Sequence, residues 1–172
     1  MCRVTPSSAR LTVSGLWTVA SIWRYRNFLA GTRKKKQHSI RTAHHGELLV
    51  GMADIVPTDH SAIPYLITAP TMRVPMILEN TVNVYLAIRA VLRLIKYGMF
   101  EDGTAIDDMV ETVAFPGMGT GVGRVPPNLF ARQMKQAIED IVEEKHRFPR
   151  TWWEAAQQHQ LLYGNEAHNL QL

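Results

Sequence analysis

The chain has 172 residues, 46% of them hydrophobic, with 19 Lys+Arg against 15 Asp+Glu and a formal charge of +4. That length suits one domain with a core, or a domain plus an arm, and the hydrophobic share excludes wholesale disorder. The single cysteine, Cys2, excludes an intrachain disulfide and the cysteine-rich zinc classes, and no apolar run approaches the ~20 residues of a membrane-spanning helix.

The charge is unevenly placed. Residues 1–46 hold nine bases (Arg3, Arg10, Arg24, Arg26, Arg33, Lys34, Lys35, Lys36 and Arg41) and no acid. Residues 47–172 hold the other ten bases and all fifteen acids, a formal −5. We therefore divide the chain into a basic arm, 1–46, and an α/β unit, 47–172, that ends in a helix. The arm contains Trp17, Trp23, Tyr25 and the run Arg33 to Lys36. It reads first as a loosely structured extension of a cytoplasmic protein. Its acid-free, Arg- and Ser-bearing composition is also that of a mitochondrial transit peptide. A secretory signal fits less well, because no small-residue cleavage pattern follows Trp23. Nucleic acid or anionic lipid is a partner only through this arm, by charge alone, and a solvated run is the commoner role of such a segment.

From Glu47 the pattern becomes globular. Leu48 to Val50, then Ala53 to Val56 before Pro57, reads as a strand with alternation at its end. Thr58 to Ser61 is a turn cluster. Tyr65 to Ala69 is a short apolar strand covered on both faces. Residues 76–97 read as a helix with a stripe of Val82, Tyr85, Leu86, Ile88, Leu92 and Ile95, stopped at Gly98. Glu101 to Asp108 is a polar connection, and Val110 to Phe115 is a strand. Pro126-Pro127 opens a further helix faced by Phe130, Met134, Ala137, Ile138, Ile141 and Val142. Residues 151–163 form a last helix carrying Trp152, Trp153, Ala156, Leu161 and Leu162. Strands alternating with helices predict an α/β fold.

The most informative segment lies between the third of these strands and the helix after it. Glycines occupy positions 117, 119, 121 and 123, followed by Arg124. Glycine permits positive φ and lets an anion approach the backbone. Successive free amides then make a concave anion nest, and the helix start adds its positive dipole end. Phosphate or diphosphate is the natural guest; a tight strand–helix turn without a ligand is the equal alternative. The candidate ligand-binding residues are Gly117, Met118, Gly119, Thr120, Gly121, Val122, Gly123 and Arg124. The loop is not a Walker A loop, since no Gly-Lys-Ser/Thr follows. Val122 and Arg124 stand where G-x-G-x-x-G would need glycine, which disfavours ordinary NAD oxidoreduction.

Other features carry less. His44-His45 with Glu47 reads as a polar turn, because no second ligand cluster accompanies it, so no metal is assigned. Asp107, Asp108 and Glu111 read as a solvated face. No Gly-x-Ser-x-Gly occurs, and Cys2 lies in the arm, so no nucleophile or other catalytic residue is assigned. No cofactor is called for.

Taken together, the residues resemble a family. Glu111 to Gly123 (ETVAFPGMGTGVG) looks like the strand and second ligand loop of macro domains, the ADP-ribose-binding modules. Gly46 to Val56 (GELLVGMADIV) resembles the family's strand entry, and Pro64 to Pro70 (PYLITAP) its next strand. Ala69 to Pro75 (APTMRVP), with Asn80 to Asn83 (NTVN) opening the helix, is similar to a divergent microbial-type branch. The order agrees over about residues 44–146.

The resemblance implies a three-layer α/β/α fold with a mixed sheet, and binding of ADP-ribose, or of an ADP-ribosylated protein, in a cleft at the strand ends. It implies that Gly117 to Gly123 wraps the diphosphate and distal ribose, with Thr120 and Val122 at the tip. Hydrolysis of ADP-ribosyl groups (Appr-1-p processing) is the activity it carries in some members. Much of that apparatus sits on an earlier loop, an asparagine followed by consecutive glycines. Before the Gly46 segment the chain offers only Gly15 and Gly31, and no acid for the adenine side. The sheet is therefore expected to be incomplete in its N-terminal part, with four or five strands and an exposed edge, unless Leu11 to Leu29 or a partner fills the place.

Overall fold

The computed structural model describes residues 10–14, 38–39, 42–58 and 60–164. Cys2, the arm's aromatic residues and the run Arg33 to Lys36 lie outside the described residues. The strands are β1 (Arg10–Ser14), β2 (Asp54–Pro57), β3 (Tyr65–Thr68) and β4 (Thr112–Ala114). The helices are α1 (Asn83–Tyr97), α2 (Ile106–Met109), α3 (Pro127–Ile141) and α4 (Trp152–Leu161).

The four strands form one mixed sheet in the order β2-β3-β1-β4. β1 runs parallel to both neighbours, with Thr12 opposite Leu66 on one side and Ala114 on the other. β2 is antiparallel to β3, with Ile55 opposite Ile67. A central strand of the sheet thus comes from the acid-free segment. Among the described residues, β4 pairs only with β1 and is an edge; Thr112 and Ala114 on it are exposed.

One face carries the core. Ile67 is fully buried there with Leu78, Ala87, Ile88, Val91 and Ile106, and Ile55, Tyr65 and Val113 pack against the same cluster. These residues belong to the strand positions that alternate toward α1 and α3, as the two-residue period requires. Asp54, Val56, Leu66 and Thr68 take the opposite face.

Four elements differ from the sequence expectation. Leu48 to Val50 is not strand. Met52 N–H donates to Leu49 O at 3.0 Å, and Gly51 holds φ +91, so the chain turns before the sheet. The helix expected over 76–97 begins only at Asn83, because Leu78 N–H is taken by Gly123 O at 2.8 Å and Thr81 N–H by Leu78 O at 3.1 Å. The buried face of α1 is Val84, Ala87, Ile88 and Val91, displaced from the stripe read in the sequence. Ile106–Met109, read as polar connection, closes one helical turn around the buried Ile106. Finally, Trp152 and Trp153 of α4 face outward, and its buried residue is Gln160.

Candidate functional site

The carboxyl ends of β1, β3 and β4 share one end of the sheet, together with the amino end of β2. Ligands of open α/β sheets sit outside such strand ends. Three described segments meet there: the glycine loop after β4, the Ala69–Val82 connection after β3, and residues 44–53 before β2. Residues 15–37, which follow β1 in sequence, lie outside the described residues.

The glycine loop is held from behind. Thr120 N–H and Thr120 Oγ1 both donate to Gly117 O, at 3.2 and 2.7 Å. Val125 N–H donates to Gly119 O at 3.1 Å, and Arg124 N–H to Gly121 O at 3.0 Å. Gly123 O takes the Leu78 amide. The glycines then divide into two kinds. Gly119 has φ +76, and a Cβ there would lie 3.0 Å from Val84 and 3.1 Å from Val125. A Cβ on Gly123 would meet Gly119 O at 2.5 Å and Leu78 at 2.9 Å. Both are required by packing. Gly121 is exposed, and nothing lies within 4 Å of a Cβ built on it.

Among the described residues, the amides of the exposed Gly121 and Val122 donate to no carbonyl. Met118 is buried in the core, at 1% exposure, and anchors the loop rather than lining it. Arg124 is exposed and held at φ +53, a conformation that costs an L-residue roughly 1–2 kcal/mol. The structure therefore brings Gly117, Thr120, Gly121, Val122 and Arg124 to the surface and turns Met118, Gly119 and Gly123 inward. Pro126 is the N-cap and Pro127 the first residue of α3, so the loop runs directly into a helix start.

Leu78 was not legible as a site residue. Its burial under Gly119 and Gly123 fixes the shape of the loop. Asn83 ties the same region together, since its Nδ2 donates to Thr71 O at 2.9 Å.

At the far side of the strand ends, Asp54 is the first residue of β2. It accepts from Ser39 Oγ at 2.5 Å and from Ile55 N–H at 3.0 Å, and His44 Nε2 lies 3.7 Å away. Thr68, its register partner on β3, is buried, and its Oγ1 has no hydrogen-bond partner among the described residues. No spacing in the sequence joins Asp54 to Thr68; the strand register does, and side-chain contacts bring Ser39 and His44 to Asp54. Glu47 is engaged by Arg73, whose guanidinium pKa is raised by that hydrogen bond and by the carboxylate's charge. His45 is exposed. Asp107, Asp108 and Glu111 are all exposed, away from the glycine loop on α2 and just after it. Among the described residues, no three His, Cys, Asp or Glu side chains converge as a metal site. Among the same residues, no helix is long and apolar enough to cross a membrane.

The comparisons with known proteins give the family and the fold. The Macro domain family model matches residues 26–134. A solved Oceanobacillus iheyensis macrodomain with MES bound has a TM-score of 0.60 at 17% identity, over 80% of this chain and 72% of its own. The macrodomain of Mycobacterium tuberculosis DarG has a TM-score of 0.55 at 12% identity, over 79% of this chain and 84% of its own. An Oceanobacillus iheyensis macrodomain mutant with ADPR has a TM-score of 0.59 at 18% identity, over 80% of this chain and 73% of its own. Among curated proteins, an uncharacterized protein of Aquifex aeolicus is 36% identical over 89 residues, which is 52% of this chain. The chain spans about half (48%) of that relative's length. The likenesses to solved structures give the fold, and the family model covers more than half of the sequence: the chain belongs to the Macro domain family.

Proposed function

We propose that the chain binds ADP-ribose, or an ADP-ribosyl group on a protein, with the diphosphate against the backbone amides of the Gly117–Gly123 loop. The observation that carries this reading is the pair of exposed amides at Gly121 and Val122, without a carbonyl partner among the described residues and held at the carboxyl end of β4 by a loop whose Gly119 and Gly123 are locked in the core. Family membership supports it, as do the ADP-ribose complexes among the structural neighbours, one of them Thermosipho africanus DarTG. Arg124 stands beside the nest as a charge partner for phosphate.

The reading is of a binding module. Near the strand ends the carboxylates of Asp54 and Glu47 are engaged by Ser39 and Arg73, and no general base for ADP-ribosyl hydrolysis is assigned.

Calorimetric titration with ADP-ribose tests the proposal. The wild-type chain should release heat with a Kd of ~1 mM or tighter. Gly121→Asp should lose that heat while melting at the wild-type temperature, because its side chain enters open space and places a negative charge in the nest. Unchanged binding in that variant, or no heat in the wild type, would end the proposal.

A further inference from the structure

Gln133 is a polar residue on a helix face that packs inward. It lies on α3 between the buried Leu129 and Ala137, one turn from each, and is itself fully buried. Burying a primary amide is costly unless both of its ends are hydrogen-bonded. Both are, and both partners lie on one short segment. Gln133 Oε1 accepts the Tyr85 amide at 2.9 Å, and Gln133 Nε2 donates to Thr81 O at 2.8 Å. The side chain therefore clasps residues 81–85, the entry to α1, from the neighbouring helix.

That segment is continuous with the support of the glycine loop. Thr81 N–H and Thr81 Oγ1 both donate to Leu78 O, at 3.1 and 2.9 Å. Leu78 N–H donates to Gly123 O at 2.8 Å, and the Leu78 side chain fills the space behind Gly119 and Gly123. Val84, inside the clasped segment, also backs Gly119. On its other side the loop runs through Val125, whose amide holds Gly119 O, into α3 and so back to Gln133. The contacts close a ring through Gln133, Thr81, Leu78, Gly123, Val125 and α3. If Thr81 shifts, Leu78 must follow or lose its bonds, and Leu78 holds both the Gly123 carbonyl and the floor under Gly119. Gly121 and Val122 stand between those two fixed points, so the direction of their amides is set there.

We infer that Gln133 is a positioning residue for the glycine loop: without touching a ligand, it sets where the Gly121 and Val122 amides point, through Thr81 and Leu78. Its effect on binding rests on the ADP-ribose reading above; its effect on the loop does not. The test compares Gln133→Met with Tyr85→Phe. The first fills similar space without donor or acceptor. The second removes a hydrogen bond between the same two helices, Tyr85 to Asp140, and leaves the ring intact. Thr81→Val is a milder variant that removes the hydroxyl holding Leu78 O, and it decides the matter if Gln133→Met does not fold. Amide resonances of the ligand-free chains, and calorimetry with ADP-ribose, are read at a temperature where all are folded. Gln133→Met should displace the Gly121 and Val122 resonances and weaken ADP-ribose binding about fivefold. Thr81→Val should do both to a smaller degree, and Tyr85→Phe should leave both at wild-type values. Unmoved Gly121 and Val122 resonances in Gln133→Met and Thr81→Val overturn the inference, and so does an equal displacement in Tyr85→Phe. Unchanged affinity in Gln133→Met, where the wild type binds, overturns it too. No heat from the wild type ends the binding proposal, while the ligand-free resonances still decide the role of Gln133.

Discussion

At the scale of single residues, the glycine loop shows that four regularly spaced glycines need not share one role. Gly119 and Gly123 are glycine because the loop packs against Leu78, Val84 and Val125 with no room for a methyl group. Gly121 has room on every side, so its lack of a side chain matters only to something outside the chain. This distinction gives a prediction about stability rather than binding. Gly119→Ala forces a Cβ into a left-handed backbone against two valines and should cost about 2 kcal/mol or more. Urea denaturation measures this; an unchanged midpoint would show that the loop is not seated on the core as described. The spacing of these glycines was visible in the sequence. Which of them faced a ligand was not, because that depends on Leu78, which the sequence pattern assigned to a helix.

At the scale of elements, the entry to α1 explains why that helix starts late. Val82, its N-cap, offers no side-chain acceptor. The amide of Tyr85 is satisfied instead from another helix: Gln133 Oε1 of α3 accepts it at 2.9 Å, while Gln133 Nε2 donates to Thr81 O at 2.8 Å. Gln133 is 1% exposed, so both bonds form out of water. Replacing it by leucine fills similar space but orphans a buried donor and an acceptor. Gln133→Leu should therefore cost about 2 kcal/mol, and the amide of Tyr85 should lose its protection from hydrogen exchange. Protection at the wild-type level would mean that another group caps the helix. A glutamine within an apolar stripe carries no local sign of such a role. The existence and order of β2, β3, β4, α1 and α3 were legible from periodicity and from Pro and Gly punctuation. Their boundaries moved where a long-range contact won over local preference, as at Leu78 and Gly51.

At the scale of the whole molecule, the two long helices are joined by polar contacts as well as apolar ones. Tyr85 on α1 reaches Asp140 on α3, and its phenol pKa is pushed up by burial, then by that hydrogen bond and the charge of Asp140. The folded chain therefore keeps this proton to higher pH than the unfolded chain, where a phenol titrates near ~10. The stability it contributes is complete below that pH and falls as the pH rises above it. Tyr85→Phe should lower stability at neutral pH by about 1 kcal/mol and reduce the alkaline slope above pH ~10. An alkaline slope identical to that of the wild type would remove Tyr85 from the account. In the acid range the sign reverses. Glu144 is held below its usual pKa by the hydrogen bond from Lys96, and Asp102 by the Thr104 amide, so their contributions are lost as the pH falls.

The same scale shows what the charge division of the sequence concealed. β1, from the acid-free segment, is inserted between β3 and β4, and the family match begins at residue 26. Alternation in Arg10 to Ser14 is too short to mark a strand alone; its partners, fifty and a hundred residues away, define it. The central claim remains that the exposed backbone of the glycine loop receives a diphosphate. Amide nuclear magnetic resonance of the labelled chain during titration with ADP-ribose tests this most directly. The account predicts that the Gly121 and Val122 amide protons move downfield together and saturate, while the amides of α4 remain within noise. Shifts confined to other parts of the molecule, with Gly121 and Val122 unmoved at saturation, would contradict it.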